Sequence, residues 1–276
     1  MTTSPEIGRW LDAAGINTNY HDQGQGHPLL LFHGSGPGVT AWANWRLVIP
    51  HMAHHFRVVA PDMVGFGYTE RPEGVVYDMA TWRNHALAIL DALQIEKAHV
   101  IGNSFGGSLA ISLAIQAPER INRLVLMGSV GLDFELTRGL DKTWGYTPSV
   151  DNMRELLDIF AYDRSLVTDE LAKLRYEASV RPGVQEAYSA MFPAPRQNGI
   201  RAMASDERDI AGISHETLII HGLEDKVIPV QSSERLLRLI PNSQLHVFRK
   251  CGHWTQIEQN QRFNRLVTDF LLEEDS

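Results

Sequence analysis

Cysteine is almost absent: Cys251 is the single one in 276 residues, so no intrachain disulfide can form. Clustered positive charge is missing as well. Lys and Arg number 25 against 33 Asp and Glu, the formal net charge is −8, and no basic block exceeds two residues. Phosphate recognition needs a concentrated basic face, which excludes a nucleic-acid partner. The opening stretch "MTTSPEIGRWLDAAG" has neither a basic nor an apolar leader segment. The longest uncharged stretch, 98–118, is broken by "GNSFGGS", too polar and glycine-rich for a membrane helix. Low-complexity tracts and internal repeats are also lacking. The expectation is a folded cytoplasmic protein with no membrane partner, since 43% hydrophobic and 21% charged residues are ordinary globular usage.

What the sequence does contain is a series of short apolar runs: "LLLFHG" (29–34), "FRVVAPD" (56–62), "AHVIGNS" (98–104), "RLVLMGS" (123–129), "TLIIHG" (217–222) and "QLHVF" (244–248). They are rich in Leu, Ile and Val without polar alternation, the pattern of parallel strands covered on both faces. Helical spacing fills the intervals, notably over 77–95 and 262–274. Strand and helix in alternation predict an α/β fold with a mostly parallel, doubly wound sheet. Between residues 133 and 212 the alternation stops, and helical patterns such as 149–163 and 168–182 follow one another among prolines. This predicts a helical cap at 133–212, inserted between core segments 1–132 and 213–276, of the kind that covers a ligand site at the strand ends.

Gly102-Asn103-Ser104-Phe105-Gly106 fits G-x-S-x-G in a strand, turn, helix context, the setting of a nucleophile elbow. Small flanking residues allow the sharp turn, and the helix that starts there aims free N–H groups at the serine. A serine nucleophile needs a base and an acid to orient the base. Asp225 and His253 each follow a later predicted strand, and the order Ser, Asp, His is the one this sheet type uses. Glu224 and Asp133 are rival acids; Asp225 is preferred because its loop leads directly into the strand before His253. Cys251 has no elbow around it and reads as a packed or idle thiol. The Gly/Pro-rich loop "FHGSGPG" (32–38) can supply a second oxyanion donor, so the hole is assigned to the N–H groups of Ser35 and Phe105. His51, His54 and His55 have helix-face spacing but no accompanying carboxylate, so no metal is expected.

With these residues in view, the chain resembles the meta-cleavage-product hydrolases of bacterial aromatic degradation, within the α/β-hydrolase fold. The similar segments include "HGSGPGVTAWANWR", "APDMVGFGYTERP", "GNSFGG", "LLDIFAYDRSLVTDELAKLRYEAS", "MFPAPRQ" and "QLHVFRKCGHWTQIE", and they span nearly the whole chain. The match is nearest to members that act on ring-fission products of monocyclic alkylbenzenes or phenols. The resemblance implies hydrolysis of a carbon–carbon bond in a 2-hydroxy-6-oxo-2,4-dienoate to 2-hydroxypenta-2,4-dienoate and a small carboxylic acid, with no cofactor and with self-association as a dimer or larger. It also implies that Arg175 meets the substrate carboxylate, that Asn44, Asn103 and Gly36 contact the carboxylate and 2-oxo end, and that Trp254 packs beside His253. Leu140, Trp144, Val227 and Ile228 are the candidates for an apolar pocket around the C6 substituent. Two other readings share the scaffold: a carboxylesterase with the same triad, and a non-catalytic receptor, which would not need all three triad residues. Haloalkane dehalogenases and epoxide hydrolases carry aspartate at the elbow, where this chain has Ser104.

Overall fold

The computed structural model describes residues 4–273. Glu274, the expected end of the last helix, and the first three residues of the opening stretch lie outside the described residues. Eight strands, β1 (Arg9–Ala13), β2 (Ile16–Gln23), β3 (Pro28–Phe32), β4 (Arg57–Pro61), β5 (Ala98–Asn103), β6 (Ile121–Met127), β7 (Thr217–Gly222) and β8 (Ser243–Phe248), form one sheet. Their order is β1-β2-β4-β3-β5-β6-β7-β8. All pairings from β4 through β8 are parallel, and β1 and β2 add an antiparallel edge. The six apolar runs correspond to β3 through β8. The β1–β2 hairpin is an addition to the expected sheet. Its sequence is polar, and the buried Asn19 is satisfied by Gly8 N–H (2.8 Å), the Glu6 carbonyl (3.0 Å) and Asp62 (2.8 Å) rather than by apolar packing.

Lack of alternation in the central strands follows from two apolar layers. Leu30, Phe32, Val100, Leu124, Leu126 and Ile219 face one layer, while their neighbours Leu29, Leu31, Ile101, Val125, Leu218 and Ile220 face the other. Helices 79–92 and 105–116 cover the first layer, and helices 41–45 and 260–272 cover the second. Successive strand residues point to opposite faces, so both must be apolar when both faces are covered.

Between β6 and β7 the chain runs through helices 138–144, 150–160, 169–179, 184–191, 197–203 and 207–211. Thr137, Ser149, Thr168 and Asp206 accept backbone N–H bonds at the starts of four of them, which satisfies donors a helix leaves free. In helix 150–160 the buried residues Met153, Leu156, Leu157 and Phe160 fall at helical spacing and turn one face inward. No helix among the described residues is long and apolar enough to cross a membrane.

Two histidines are locked into this framework in neutral form. His33 Nδ1–H donates to the Gly34 carbonyl at 2.7 Å, and its Nε2 accepts from Met63 N–H at 3.0 Å. His85 Nδ1 accepts from Val64 N–H at 3.1 Å, and its Nε2 bonds Thr18 Oγ1 at 2.8 Å. Burial lowers each from 6.5 to about 4. Below pH 6.5 the unfolded chain therefore takes up protons that the folded one refuses, so stability falls as pH drops from 6.5 toward 4. The loss at pH 5 is about 2 kcal/mol per histidine. In urea unfolding, His85→Gln should show a decline between pH 7 and pH 5 that is shallower than the wild type by about that amount; equal declines would contradict the assignment.

Candidate active site

Ser104 occupies the turn between β5 and helix 105–116 with φ 54° and ψ −112°, a left-handed conformation that costs a non-glycine residue on the order of 1–3 kcal/mol. It is held there by β6 and the loop after it: Ser104 N–H donates to Met127 O at 2.8 Å, and Val130 N–H donates to Ser104 O at 3.1 Å. A Cβ at Gly106 would overlap the Phe32 carbonyl, so helix 105–116 can approach β3 this closely only with glycine there.

Asp225 lies three residues beyond β7 and His253 five beyond β8. The parallel register of these strands, His221 opposite Val247 and Gly222 opposite Phe248, brings both loops to the same sheet edge. His253 Nδ1–H donates to Asp225 Oδ2 at 2.7 Å. Asp225 Oδ1 accepts from Val227 N–H (2.7 Å) and Ile228 N–H (3.0 Å). Below it, the fully buried His221 places Nε2 3.4 Å from Asp225 Oδ2 while donating to Ile228 O at 3.0 Å. Burial pushes the Asp225 carboxyl up, but the imidazoles of His253 and His221 outweigh it and hold the group well below the ordinary carboxylate range. The rival acids are engaged elsewhere. Glu224 accepts from Cys251 N–H at 2.9 Å, and Asp133 accepts from Gln197 at 3.2 Å on the surface. Cys251 is buried, and that burial, with the carboxylates of Glu258, Asp225 and Glu224, pushes its thiol up, away from nucleophilic use.

Ser104 and His253 open into one cavity of about 580 Å³, within the range of small-molecule sites. Gly36, Asn44, Asn103, Leu140, Arg175, Val227 and Trp254 also line it, along with Ser35. Gly34 N–H is taken by Asn44 Oδ1 at 3.2 Å, leaving Asn44 Nδ2 buried without a partner. Among the described residues no acceptor pairs with the backbone N–H of Ser35 or Phe105. Trp254 stacks at a tilt on Phe160, with ring centroids 5.4 Å apart, and Phe160 lies 6.1 Å from His253.

Two residues of the expected C6 pocket are not on the cavity wall. Trp144 is stacked flat against Phe192, with centroids 4.7 Å apart, and donates Nε1–H to Ser35 Oγ at 3.1 Å. Ile228 is fully buried beneath the Asp225 loop, its backbone bonded to Asp225 and His221. Met153, Leu157 and Phe160 supply apolar wall instead. Their signal was the apolar face of 150–160, which by itself does not distinguish core from cavity wall. Arg175 is on the wall, but its Nη2 is bonded to Glu6 Oε1 at 2.5 Å, a partner 169 residues away that sequence spacing cannot reveal. Among the described residues no cluster of His, Cys, Asp and Glu could hold a metal ion.

The α/β-hydrolase fold family matches residues 27–259. The chain is 62% identical over 270 residues to 2-hydroxy-6-oxo-2,4-heptadienoate hydrolase of Pseudomonas putida F1, covering 98% of each protein. It is 60% identical over 273 residues to 2-hydroxymuconate semialdehyde hydrolase of Pseudomonas sp. CF600, covering 99% of this chain and 96% of that protein. A crystal structure of a variant of the meta-cleavage product hydrolase CumD superposes with a TM-score of 0.97 at 62% identity, over 98% of this chain and 100% of that one. The chain belongs to the α/β-hydrolase fold family and, within it, to the meta-cleavage product hydrolases.

Proposed function

We propose that the protein hydrolyses a carbon–carbon bond in an alkyl-substituted 2-hydroxy-6-oxo-2,4-dienoate, giving 2-hydroxypenta-2,4-dienoate and a small carboxylic acid. One observation carries the reading: a serine at a strained elbow and a histidine bonded to an anionic aspartate share a cavity whose wall combines apolar side chains with Asn44, Asn103 and Arg175. The names of the relatives supply the substrate class.

In this reading Asp225 fixes the His253 tautomer with Nδ1 protonated, which leaves Nε2 as the proton acceptor. Conversion of the dienol to its keto form comes first, so that the departing C5 can carry its electron pair as part of an enolate. Water, or Ser104 Oγ after proton transfer to His253, then adds to the C6 ketone. The N–H groups of Ser35 and Phe105 stabilise the oxyanion. Collapse breaks the C5–C6 bond and the dienolate takes a proton from the histidine; C6 is released as the acid directly when water has added, or after a water hydrolyses the Ser104 ester when the serine has. Arg175, Asn44, Asn103 and Gly36 bind the carboxylate and 2-oxo end, an Arg fork being suited to carboxylate. Leu140 and Val227, joined by Met153, Leu157 and Phe160, surround the C6 group, with residues 133–212 acting as the cap. Such a pocket separates substituents differing by one methylene by only about 1–3 kcal/mol, so hydrogen, methyl and ethyl at C6 should all be turned over. The reading includes a cytoplasmic location and a homodimer or larger assembly, with no cofactor.

Purified protein should bleach the yellow ring-fission product of 3-methylcatechol without added metal or nucleotide. Absence of bleaching together with rapid hydrolysis of p-nitrophenyl acetate would instead identify an esterase. Ser104→Ala should lower kcat for carbon–carbon cleavage by about 10³ or more, and a rate near wild type would remove Ser104 from the chemistry. Arg175→Ala should reduce kcat/KM for the dienoate by roughly 100-fold, far more than for the neutral ester. Equal losses on both would contradict a carboxylate-binding role.

A further inference from the structure

At one end of the cavity an ion cluster has more cations than anions. Glu6, Arg46 and Arg175 all line the wall there. Glu6 and Arg175 are bonded at 2.5 Å, and their side chains are only 14% and 12% exposed. Glu6 is held in place by its own backbone, since its carbonyl accepts from the buried Asn19 at 3.0 Å. Arg46 belongs to the turn that ends helix 41–45 and donates Nη1–H to Ala43 O at 2.7 Å, which leaves the rest of its guanidinium unused by that bond. Burial lowers the Arg46 guanidinium, the nearby Arg175 lowers it further, and Glu6 opposes both. Two positive groups therefore share one largely buried negative group, since Glu177, which also lines the cavity, is exposed. Arg175 Nε and, two residues before Arg46, Asn44 Nδ2 are buried donors without a partner. The other arginine on this wall, Arg181, lies over the Tyr68 ring at 3.9 Å.

An isolated charge in a partly desolvated site is unfavourable, and unpartnered buried donors add to the cost. A second carboxylate would neutralise the cluster and offer an acceptor where buried donors lack one. We infer that Glu6 and Arg46 are specificity-determining residues: the two guanidinium groups hold two carboxylates at once, Glu6 permanently and the ligand's carboxylate transiently, so that Glu6 moderates affinity for monocarboxylates. This rests on the reading of Arg175 as the carboxylate-binding residue. It adds that a resident acid tunes the site and that a second guanidinium shares the load.

The test is the KM for the 3-methylcatechol ring-fission product divided by that for p-nitrophenyl acetate, in Glu6→Gln, Arg46→Gln and the double variant. Glu6→Gln is nearly isosteric and removes the negative charge, and Arg46→Gln removes the positive charge while leaving a shorter polar side chain. Glu6→Gln should lower the ratio roughly fivefold, Arg46→Gln should raise it by a similar factor, and the double variant should return within about twofold of wild type. If Glu6 and Arg46 only brace the fold, both single changes raise the ratio and the double variant is worse than either, which would overturn the inference. Arg175→Ala separates the two levels of the argument. A raised ratio there with no fall in Glu6→Gln defeats this inference alone, whereas an unchanged ratio in Arg175→Ala defeats the underlying reading as well.

Discussion

The hydrogen bond between His253 and Asp225 is the constraint on which the rest of the site depends. A carboxylate with 1% of its side chain exposed would not stay ionised by itself, and it does so here because three N–H donors converge on it and a second imidazole lies 3.4 Å away. Two of the donors come from the backbone of its own loop and one is the His253 imidazole at the cavity, while the nearby His221, buried in β7, gives its Nε2–H to the Ile228 carbonyl. Assembling them requires β7 and β8 in register and their following loops in near contact. A Cβ at Gly222 would run into the Gly252 carbonyl, so the chain can make that approach only with glycine at 222. Sheet pairing, loop packing and the protonation state of one acid are therefore a single arrangement.

The same sheet edge carries Ser104, and its unfavourable backbone angles are tolerated because β6 and the loop after it bond both its N–H and its carbonyl. The helices between β6 and β7 then enclose the space above. They contribute apolar groups through Leu140, Met153, Leu157 and Phe160, and a cation through Arg175. The sheet ends thus bring Ser104, Asp225 and His253, while the helices between β6 and β7 bring apolar wall and a guanidinium. A third source, the segment before β1, places Glu6 against Arg175.

Central strands and the Ser, Asp, His order were legible because each has a local signature. Apolar runs such as 98–103 and 217–222 announce strands covered on both faces, and a serine between glycines at a strand end announces a sharp turn. The β1–β2 hairpin was not legible, since its buried Thr18 and Asn19 are stabilised by hydrogen bonds to distant residues and leave no hydrophobic period. Trp144 and Ile228 were misplaced for a related reason: apolar residues next to a site look alike whether they line it or support it. Ile228 supports the Asp225 loop from beneath, and Trp144 braces Ser35. Glu6 and Arg46 were not anticipated because a partner from the other end of the chain has no signature in local spacing.

If an anionic Asp225 fixes the histidine for proton transfer, Asp225→Asn removes that anion and should disable the site. The side chain keeps its size but can no longer serve Val227 N–H, Ile228 N–H and His253 Nδ1–H as an anion. With the folded state checked by circular dichroism, kcat for dienoate cleavage should fall by about 10⁴. A variant that folds normally and retains activity within tenfold of wild type would contradict the account.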